Sequence, residues 1–489
     1  MILEQYFKSY RDNTVGIDLS FETPYGTKKL VYADWIASGR LYTPIEKQLS
    51  EVVGPYVGNT HTDTTVTGSS MTQAYHYALR TIKNHVNASP SDVIISSNSG
   101  MTGVVNKFQR ILGLRIHEKF KDLVNLPEDE RPLILVTHME HHSNQTSWLE
   151  TIGDLVIIPS DDQGLVDLNG LELLLKKHAH RKHKMAAVTS YSNVTGIATP
   201  YHQIAATMHR AGGLCFVDFA CAAPYIHINM HPPIDDQKLD AIYFSPHKFL
   251  GGPGSTGILI FNSTLYNNKV PDCPGGGTVE WTNPWGRHQY VEDIEKREDG
   301  GTPAFLPTIR VAMCIKLKEQ MGVEKMLQRE EELKEIIWPA LKNIEGLHVL
   351  ADHIQDRLGI FSFYIDGLHY NLAVKLLNDR FGIQMRGGCS CAGTYGHYLL
   401  HVDQNQSSEI TEKISQGDLS CKPGWLRFSI HPIMTNEEII YTLDAIRQIA
   451  ANHWEWRKDY RYNLHTNEYT HNNEDPCKMK QLVEKWFEF

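Results

Sequence analysis

Cysteine is scarce in this chain, with eight residues in 489. Several of the eight fall in apolar runs, and no spacing among them reads as a disulfide framework. Reduced thiols in a cytoplasm are the expectation. Long apolar runs are missing too; none approaches the roughly 20 residues that a membrane helix needs. The start, Met1 to Lys8, has no basic region followed by an apolar stretch, so no secretory signal is read there. Positive charge is not in excess. A net charge of −10 argues against nucleic acid as a general partner. The one basic run, Lys176 to Lys184, follows a helical pattern and reads as a solvated helix end with cations favoured by the dipole; a site for an acidic patch on a partner is the sharper alternative. A single Cys-x-Cys, Cys389-Ser390-Cys391, has no matched second pair, so no metal is expected. Internal repeats and low-complexity tracts are absent.

What is present is the composition of a soluble globular protein: 41% hydrophobic and 21% charged residues. The chain is long enough to bury a large core and to divide into more than one unit. Strand-like runs at 93–97, 133–138, 155–160, 185–191, 214–218, 241–245 and 257–261 alternate with helical patterns. That rhythm predicts a mostly parallel sheet with helices on both faces. Residues 312–346 read as one long, charged, amphipathic helix. Beyond it, strands near 358–365 and 425–430 and helices near 369–380 and 435–452 predict a smaller α+β unit. The charged segment 116–131 reads in its later part as a loop or insertion. The tail after 452 is rich in aromatic residues, which is not the mark of disorder, and is expected to pack on the body or on a second subunit.

Chemistry concentrates at Ser245-Pro246-His247-Lys248-Phe249-Leu250-Gly251-Gly252-Pro253. Lys248 stands between a strand-like run and a glycine-rich turn. A lysine that joins an aldehyde cofactor needs such a setting, because its amine must be desolvated and pointed while small residues leave room. Upstream, the apolar run Leu214 to Val217 ends in Asp218. A carboxylate at the carboxyl end of a parallel strand can pair with the protonated ring nitrogen of pyridoxal phosphate. Val93 to Ser97 is strand-like, and Gly100 opens a turn before a helical pattern. Backbone N–H groups there, with the Thr102 hydroxyl, suit a phosphate.

Asp218 with Ser245 to Lys248 resembles the fold-type I, class V aminotransferase superfamily, and within it the Suf-type cysteine desulfurases and selenocysteine lyases. Further motifs follow in the family's order: Tyr32-Ala33-Asp34-Trp35-Ile36-Ala37, Ser99-Gly100-Met101-Thr102 with Asn106, Met139 to Asn144, Ser192 to Gly196 with Pro200, Gly275 to Thr278, and Gly301-Thr302-Pro303. The resemblance covers roughly residues 30 to 445. It implies an α/β fold with a mostly parallel seven-stranded sheet in a large domain and a smaller C-terminal α+β domain. The expected division is 1–30 as an N-terminal segment on the small domain, 31–310 as the large pyridoxal phosphate domain, 311–452 as the small domain, and 453–489 as an extension. By the same resemblance His141 stacks on the cofactor ring and shuttles protons, and Asn193 donates to the phenolic oxygen. Ser245, His247 and the loop Gly100-Met101-Thr102 hold the phosphate. Arg427 clamps the substrate carboxylate. The family also implies a homodimer in which Gly277 and Thr278 reach the second subunit's cofactor. Two departures stand out. Cys221 replaces the family's usual glutamine in Asp218-Phe219-Ala220-Cys221, and Met101 stands where many relatives have threonine.

The stretch Met385 to Gly393 contains Arg386, Cys389 and Cys391. Suf-type desulfurases read Arg-x-Gly-x-x-Cys here, which places their persulfide-forming nucleophile at Cys391. A thiolate nucleophile needs access and nearby positive charge, which Arg386 can give. Molybdenum cofactor sulfurases also resemble the chain here and keep Cys389 open as nucleophile or partner. The pair could also form a disulfide on oxidation or sit idle. Three functions follow: removal of sulfur or selenium from L-cysteine or L-selenocysteine, with a persulfide passed to an acceptor protein; another class V lyase or transamination on a different amino acid; or a binding protein that keeps the cofactor without turnover.

Overall fold

The computed structural model describes residues 2–60 and 62–488. Its centre is a sheet of seven strands: β1 Asp92–Ser97, β2 Leu133–Val136, β3 Asp154–Ile157, β4 Lys184–Thr189, β5 Leu214–Asp218, β6 Ala241–Phe244 and β7 Gly257–Asn262. Their order is β1-β7-β6-β5-β4-β2-β3. The strands from β6 to β3 run parallel, and β7 is antiparallel to both its neighbours. Strands β2, β4 and β6 are buried along their whole length, as both-face coverage by helices requires. Alternate residues divide between two apolar layers. Leu133, Leu135, Ala186, Val188, Val217 and Ile242 face one layer; Ile134, Val136, Met185, Ala187, Phe216 and Tyr243 face the other. The fold is therefore the α/β architecture that the strand rhythm predicts.

The single helix expected over 312–346 is instead two helices, Phe305–Met321 and Val323–Lys342. The break is Gly322, whose φ of +77° lies in the left-handed region that ends helices. The first helix starts earlier than the charge pattern suggests. Pro307 falls in its first turn, where a missing N–H is not felt. Beyond these helices lies an antiparallel sheet of four strands: β8 Leu347–Val349, β9 Ile360–Ile365, β10 Arg386–Gly388 and β11 Trp425–Ser429, in the order β8-β9-β11-β10. Two of the four, β8 and β10, are only three residues long. The helix Asn436–Trp456 follows, opened by a capping box between Thr435 and Glu438. The N-terminal helix Leu3–Asp12 packs against this part of the chain: Arg11 makes a two-pronged ion pair with Glu438, and Glu4 pairs with Arg329.

The basic run is not simply a solvated helix end, and this corrects the expectation. Arg181 is buried against Asp154 and the Arg131 carbonyl. Lys182 pairs with Asp129 and Glu130, and His180 lies 3.1 Å from Glu128. Lys184 already belongs to β4. The acidic turn Glu128 to Glu130 is thus the partner of the basic run. No helix among the described residues is long and apolar enough to cross a membrane.

The carboxyl ends of β1, β4, β5 and β6 meet at one edge of the sheet, where ligands bind in folds of this kind. Close approach there depends on Gly257 at the start of β7. A Cβ on Gly257 would stand 2.1 Å from the carbonyl oxygen of Gly100. Gly257→Ala should therefore push the helix Gly100–Ile111 off the sheet and lower stability by about 1–3 kcal/mol. Urea denaturation checks this, and an unchanged midpoint would show that the contact relaxes freely.

Candidate active site

At that edge lies a cavity of about 560 Å³. It is built from loops that leave the strands and closed by residues of the four-stranded sheet. The turn after β6 delivers Ser245, His247 and Lys248; β5 delivers Asp218; the loop after β4 delivers Asn193. From the helix start after β1 come Gly100, Met101 and Thr102, and His141 caps the helix His142–Leu149. Arg386, Cys391 and Arg427 complete the wall from the other side. Of the site residues read from the sequence, Gly277, Thr278 and Cys389 are not among those lining this cavity. Thr278 is fully buried elsewhere, its hydroxyl donating to Gly275 O at 2.7 Å.

Asp218 is buried at the end of β5, where its Oδ1 accepts the N–H of Ala220 at 2.7 Å. Desolvation pushes its carboxyl up from the ordinary 3.8 to about 6, against the pull of Lys248. Burial pushes the Lys248 ammonium down, partly offset by Cys221 and Asp218. Among the described residues no hydrogen bond or ion pair holds Lys248 Nζ. His141 takes the Ser143 N–H on Nδ1 at 3.1 Å, which leaves the ring's proton on Nε2. Burial and the charge of Lys248 lower its pKa to about 3, so the ring is neutral at pH 7. His247 is held down to about 4 for the same two reasons.

The helix start forms a cradle. Gly100 has a φ of +62°, and the Met101 N–H donates to Ser245 Oγ at 2.8 Å. The Met101 side chain points into the apolar layer with Val104 and Phe108, so it offers the cavity only its backbone. Thr102 Oγ1 lies 2.7 Å from Ser143 Oγ. On the opposite wall, Arg427 is almost wholly buried; Nη1 donates to Asn193 O at 3.1 Å and Nη2 to Asp34 Oδ1 at 2.8 Å. These bonds fix the plane of the guanidinium and leave donors free for a carboxylate. Arg427 Nε and Asn193 Oδ1 are both buried without a partner in the protein.

Cys389 to Ala392 form a tight turn closed by Ala392 N–H to Cys389 O at 3.0 Å. Its central residues, Ser390 and Cys391, have φ of +52° and +58°. Left-handed backbone at two successive residues with side chains costs about 1 kcal/mol or more each. Two bonds hold it: His142 N–H to Cys391 O at 2.7 Å and Asn193 Nδ2 to Ser390 O at 2.8 Å. The turn sends the two thiols to different places. Cys391 lines the cavity, 3.7 Å from Arg386 Nη2. Cys389 packs on the apolar cluster of Met139, Val194 and Trp425. Cys221 lines the cavity as well, but its thiol points to Ser192 O at 3.7 Å, and burial pushes it up to about 12.

Sequence reasoning gave no role to three residues that matter here. Asp34 orients Arg427; its carboxylate inside an otherwise apolar motif was the signal. Glu140 is fully buried and accepts from Thr137 N and Oγ1, Asn144 Nδ2 and Thr189 N. Desolvation raises its carboxyl to about 8. Ser390 lines the cavity, and its hydroxyl is buried without a partner in the protein.

This donor set fits pyridoxal phosphate. There is a desolvated amine, a buried carboxylate without a cation bonded to it, a helix-start cradle for an anion, and a buried guanidinium N–H that lacks a partner. Among the described residues no group of three or more His, Cys, Asp or Glu is placed to hold a metal ion.

The sequence model of the class-V aminotransferases matches residues 31–441. The chain belongs to this family of pyridoxal phosphate-dependent enzymes. Among its relatives is a probable cysteine desulfurase of Halalkalibacterium halodurans, 28% identical over 369 residues, which are 74% of this chain and 84% of the relative. A probable cysteine desulfurase of Staphylococcus epidermidis is 27% identical over 378 residues, 76% of this chain and 85% of the relative. Among solved structures, the apo cysteine desulfurase of Thermococcus onnurineus superposes with a TM-score of 0.71 at 21% identity, covering 91% of this chain and 98% of that one. The Escherichia coli cysteine desulfurase CsdA gives 0.67 at 20% identity, with 91% and 98% covered. At these identities the structures speak for the fold alone, the fold-type I architecture.

Asp218 yields a stability test. Its pKa is higher folded than unfolded, so the folded state holds the proton longer and stability falls as pH rises from about 4 through about 6. The difference corresponds to about 3 kcal/mol. Cofactor-free Asp218→Asn should therefore be more stable than wild type above pH 6, by up to about 3 kcal/mol, and equal to it near pH 4. Urea titrations at both pH values check this; a stability gain that does not depend on pH would contradict it.

Proposed function

We propose that this enzyme is a cysteine desulfurase, converting L-cysteine to L-alanine and leaving a persulfide on Cys391. The observation that carries the reading is the strained turn that sets Cys391 Sγ in the cavity beside Arg386, while Cys389 is turned away. Pyridoxal phosphate, when bound, supplies the electron sink that labilises bonds at the amino acid's Cα. Lys248 is the amine that would hold its aldehyde carbon, and burial keeps that amine free of a tightly held proton. Asp218 would face the ring nitrogen, His141 the ring, and Asn193 the phenolic oxygen. Gly100, Thr102, Ser245 and His247 would hold the phosphate, with the Met101 N–H fixing the Ser245 hydroxyl.

The substrate carboxylate would lie on Arg427, whose orientation is set by Asp34 and Asn193 O. Cys391 Sγ, as thiolate, attacks the substrate sulfur. The new S–S bond forms as the substrate's C–S bond breaks, its electron pair stays with the carbon that becomes the alanine methyl group, and a proton is added there. Lys248 Nζ and His141 Nε2 are cavity groups able to carry that proton. Arg386 places positive charge beside the attacking sulfur. The thiol of Cys221 already donates to Ser192 O, so it adds no donor where the family's glutamine would act. The same site would accept L-selenocysteine. The reading includes a homodimer, a cytoplasmic location, and an acceptor protein for the sulfur; Thr278, fully buried in its own chain with its hydroxyl on Gly275 O, offers nothing to a second copy's cofactor.

The test is to mix the purified holoprotein with L-cysteine and a reductant and to measure alanine and sulfide. Wild type and Cys389→Ala should give both in equal amounts. Cys391→Ala should lose about a hundredfold or more of the rate. Alanine formation unchanged in Cys391→Ala would remove the assigned nucleophile, and a keto acid in place of alanine would point to transamination.

A further inference from the structure

The part of the chain that matches the family ends at residue 441. Beyond it a hairpin forms, β12 Tyr460–Asn463 and β13 Glu468–His471, paired antiparallel. The hairpin reaches back to the nucleophile through one residue at its bend. Asn467 is buried and left-handed, with a φ of +59°. Its Nδ2 donates to Tyr370 Oη at 2.7 Å, its Oδ1 accepts from Tyr462 Oη at 2.8 Å, and its backbone oxygen accepts from Asn371 Nδ2 at 2.5 Å. Tyr370 opens the helix Tyr370–Leu376, and the ring of His369 stacks on it at 4.3 Å.

Tyr370 also lies close to three glycines, where no side chain separates its ring from the backbone. A Cβ on Gly424 would stand 2.6 Å from Tyr370 Cε1, one on Gly387 3.2 Å from Cδ2, and one on Gly388 3.9 Å from Cε2. Gly387 and Gly388 are the last residues of β10, directly before the Cys389–Ala392 turn. Strand β10 lies at the edge of its sheet, bonded only to β11. Two glycines at the end of a three-residue edge strand give the backbone little stiffness of its own. The turn that follows is strained and tends to relax unless its base is held.

We infer that Tyr370 and Asn467 are positioning residues for the Cys391 nucleophile: the C-terminal hairpin clamps the Tyr370 ring on Gly387 and Gly388 and so keeps Cys391 Sγ aimed into the cavity. The inference rests on the desulfurase reading for what Cys391 does, and on geometry alone for how it is held. A nucleophile displaced by 1 Å can lose up to about a hundredfold in rate, so a modest loosening at the base of the turn is measurable.

The experiment compares the holoenzyme with Tyr370→Phe, which removes only the hydroxyl, and Asn467→Gly, which keeps the left-handed backbone. Two quantities are read: kcat and KM for L-cysteine, and the rate at which iodoacetamide labels Cys391, followed by mass spectrometry. Losing the Asn467–Tyr370 hydrogen bond, which both variants remove (Asn467→Gly removes the Tyr462 bond as well), should lower kcat about fivefold at unchanged KM and speed labelling of Cys391 by a similar factor. The cofactor's absorbance spectrum should not move. Wild-type labelling and kcat in both variants would overturn the inference, and so would a lower melting temperature with both rates unchanged, since the hairpin would then be structural only. If wild type itself forms no alanine from cysteine, the desulfurase reading fails, and the labelling rates alone decide whether the hairpin holds Cys391.

Discussion

Two opposite charges, buried at the ends of neighbouring strands and held by no bond to each other, govern this structure. Asp218 closes β5, and Lys248 follows β6. Burial moves the carboxyl up and the ammonium down, so each is driven toward its neutral form. Desolvating such groups costs several kcal/mol apiece, and apolar residues of the same size would serve stability better. The seven-stranded sheet, with an apolar layer on each face, is what makes that cost tolerable. A chain retains such a tension where a bound group completes the electrostatics, and in this family that group is pyridoxal phosphate.

The second constraint is the docking of the small sheet onto the large one. Strand β11 carries Arg427 and lies against the segment 33–36. Ile36 N–H donates to Ser429 Oγ at 3.1 Å, and Ser429 N–H to Ala33 O at 2.9 Å. Asp34, between them, receives Arg427. The guanidinium is thus locked from one side by a residue near the amino end and from the other by the Asn193 carbonyl of the large sheet. The cavity wall as a whole is drawn from many separate stretches of sequence. Its shape depends on the packing between the parts as much as on any single loop, which is why an almost wholly buried arginine can be tolerated there.

The parallel sheet was legible because its strands are buried on both faces and read as continuous apolar runs, such as Leu133 to Val136 and Ala241 to Phe244. That Lys248 and Asp218 would share a cavity could be read locally, since each follows or ends an apolar strand; Cys391 came from the family resemblance, and the fold brings it to the same cavity. Other features left no local mark. Strand β10 is too short and too rich in glycine to carry a period. The break at Gly322 needs a left-handed residue, and a glycine inside a helical pattern does not announce its φ. The pairing of Lys182 with Glu130 joins segments 52 residues apart. Asp34 and Glu140 act through partners distant in the chain, and only the fold supplies those partners. The turn at Ser390 and Cys391 was hidden most completely, since nothing in those residue types favours left-handed backbone.

That turn also shows how the cofactor pocket and the nucleophile are linked without a moving part. Asn193 lines the pocket, and its Nδ2 donates to Ser390 O while its backbone oxygen accepts from Arg427. His142, next to the pocket's His141, donates its N–H to Cys391 O, and its ring accepts the N–H of Gly393 at 2.9 Å. Asn193, which lines the cavity, and His142, next to His141 in its wall, are therefore the residues that hold the strained turn in place. Side chains in left-handed backbone persist only where the surroundings over-determine them. Here the over-determination comes from the pocket on one side and from Tyr370 on the other. A shift of Asn193 would be felt at once by Arg427 and by the Ser390–Cys391 turn, so the placement of the guanidinium and of the thiol depends on one residue.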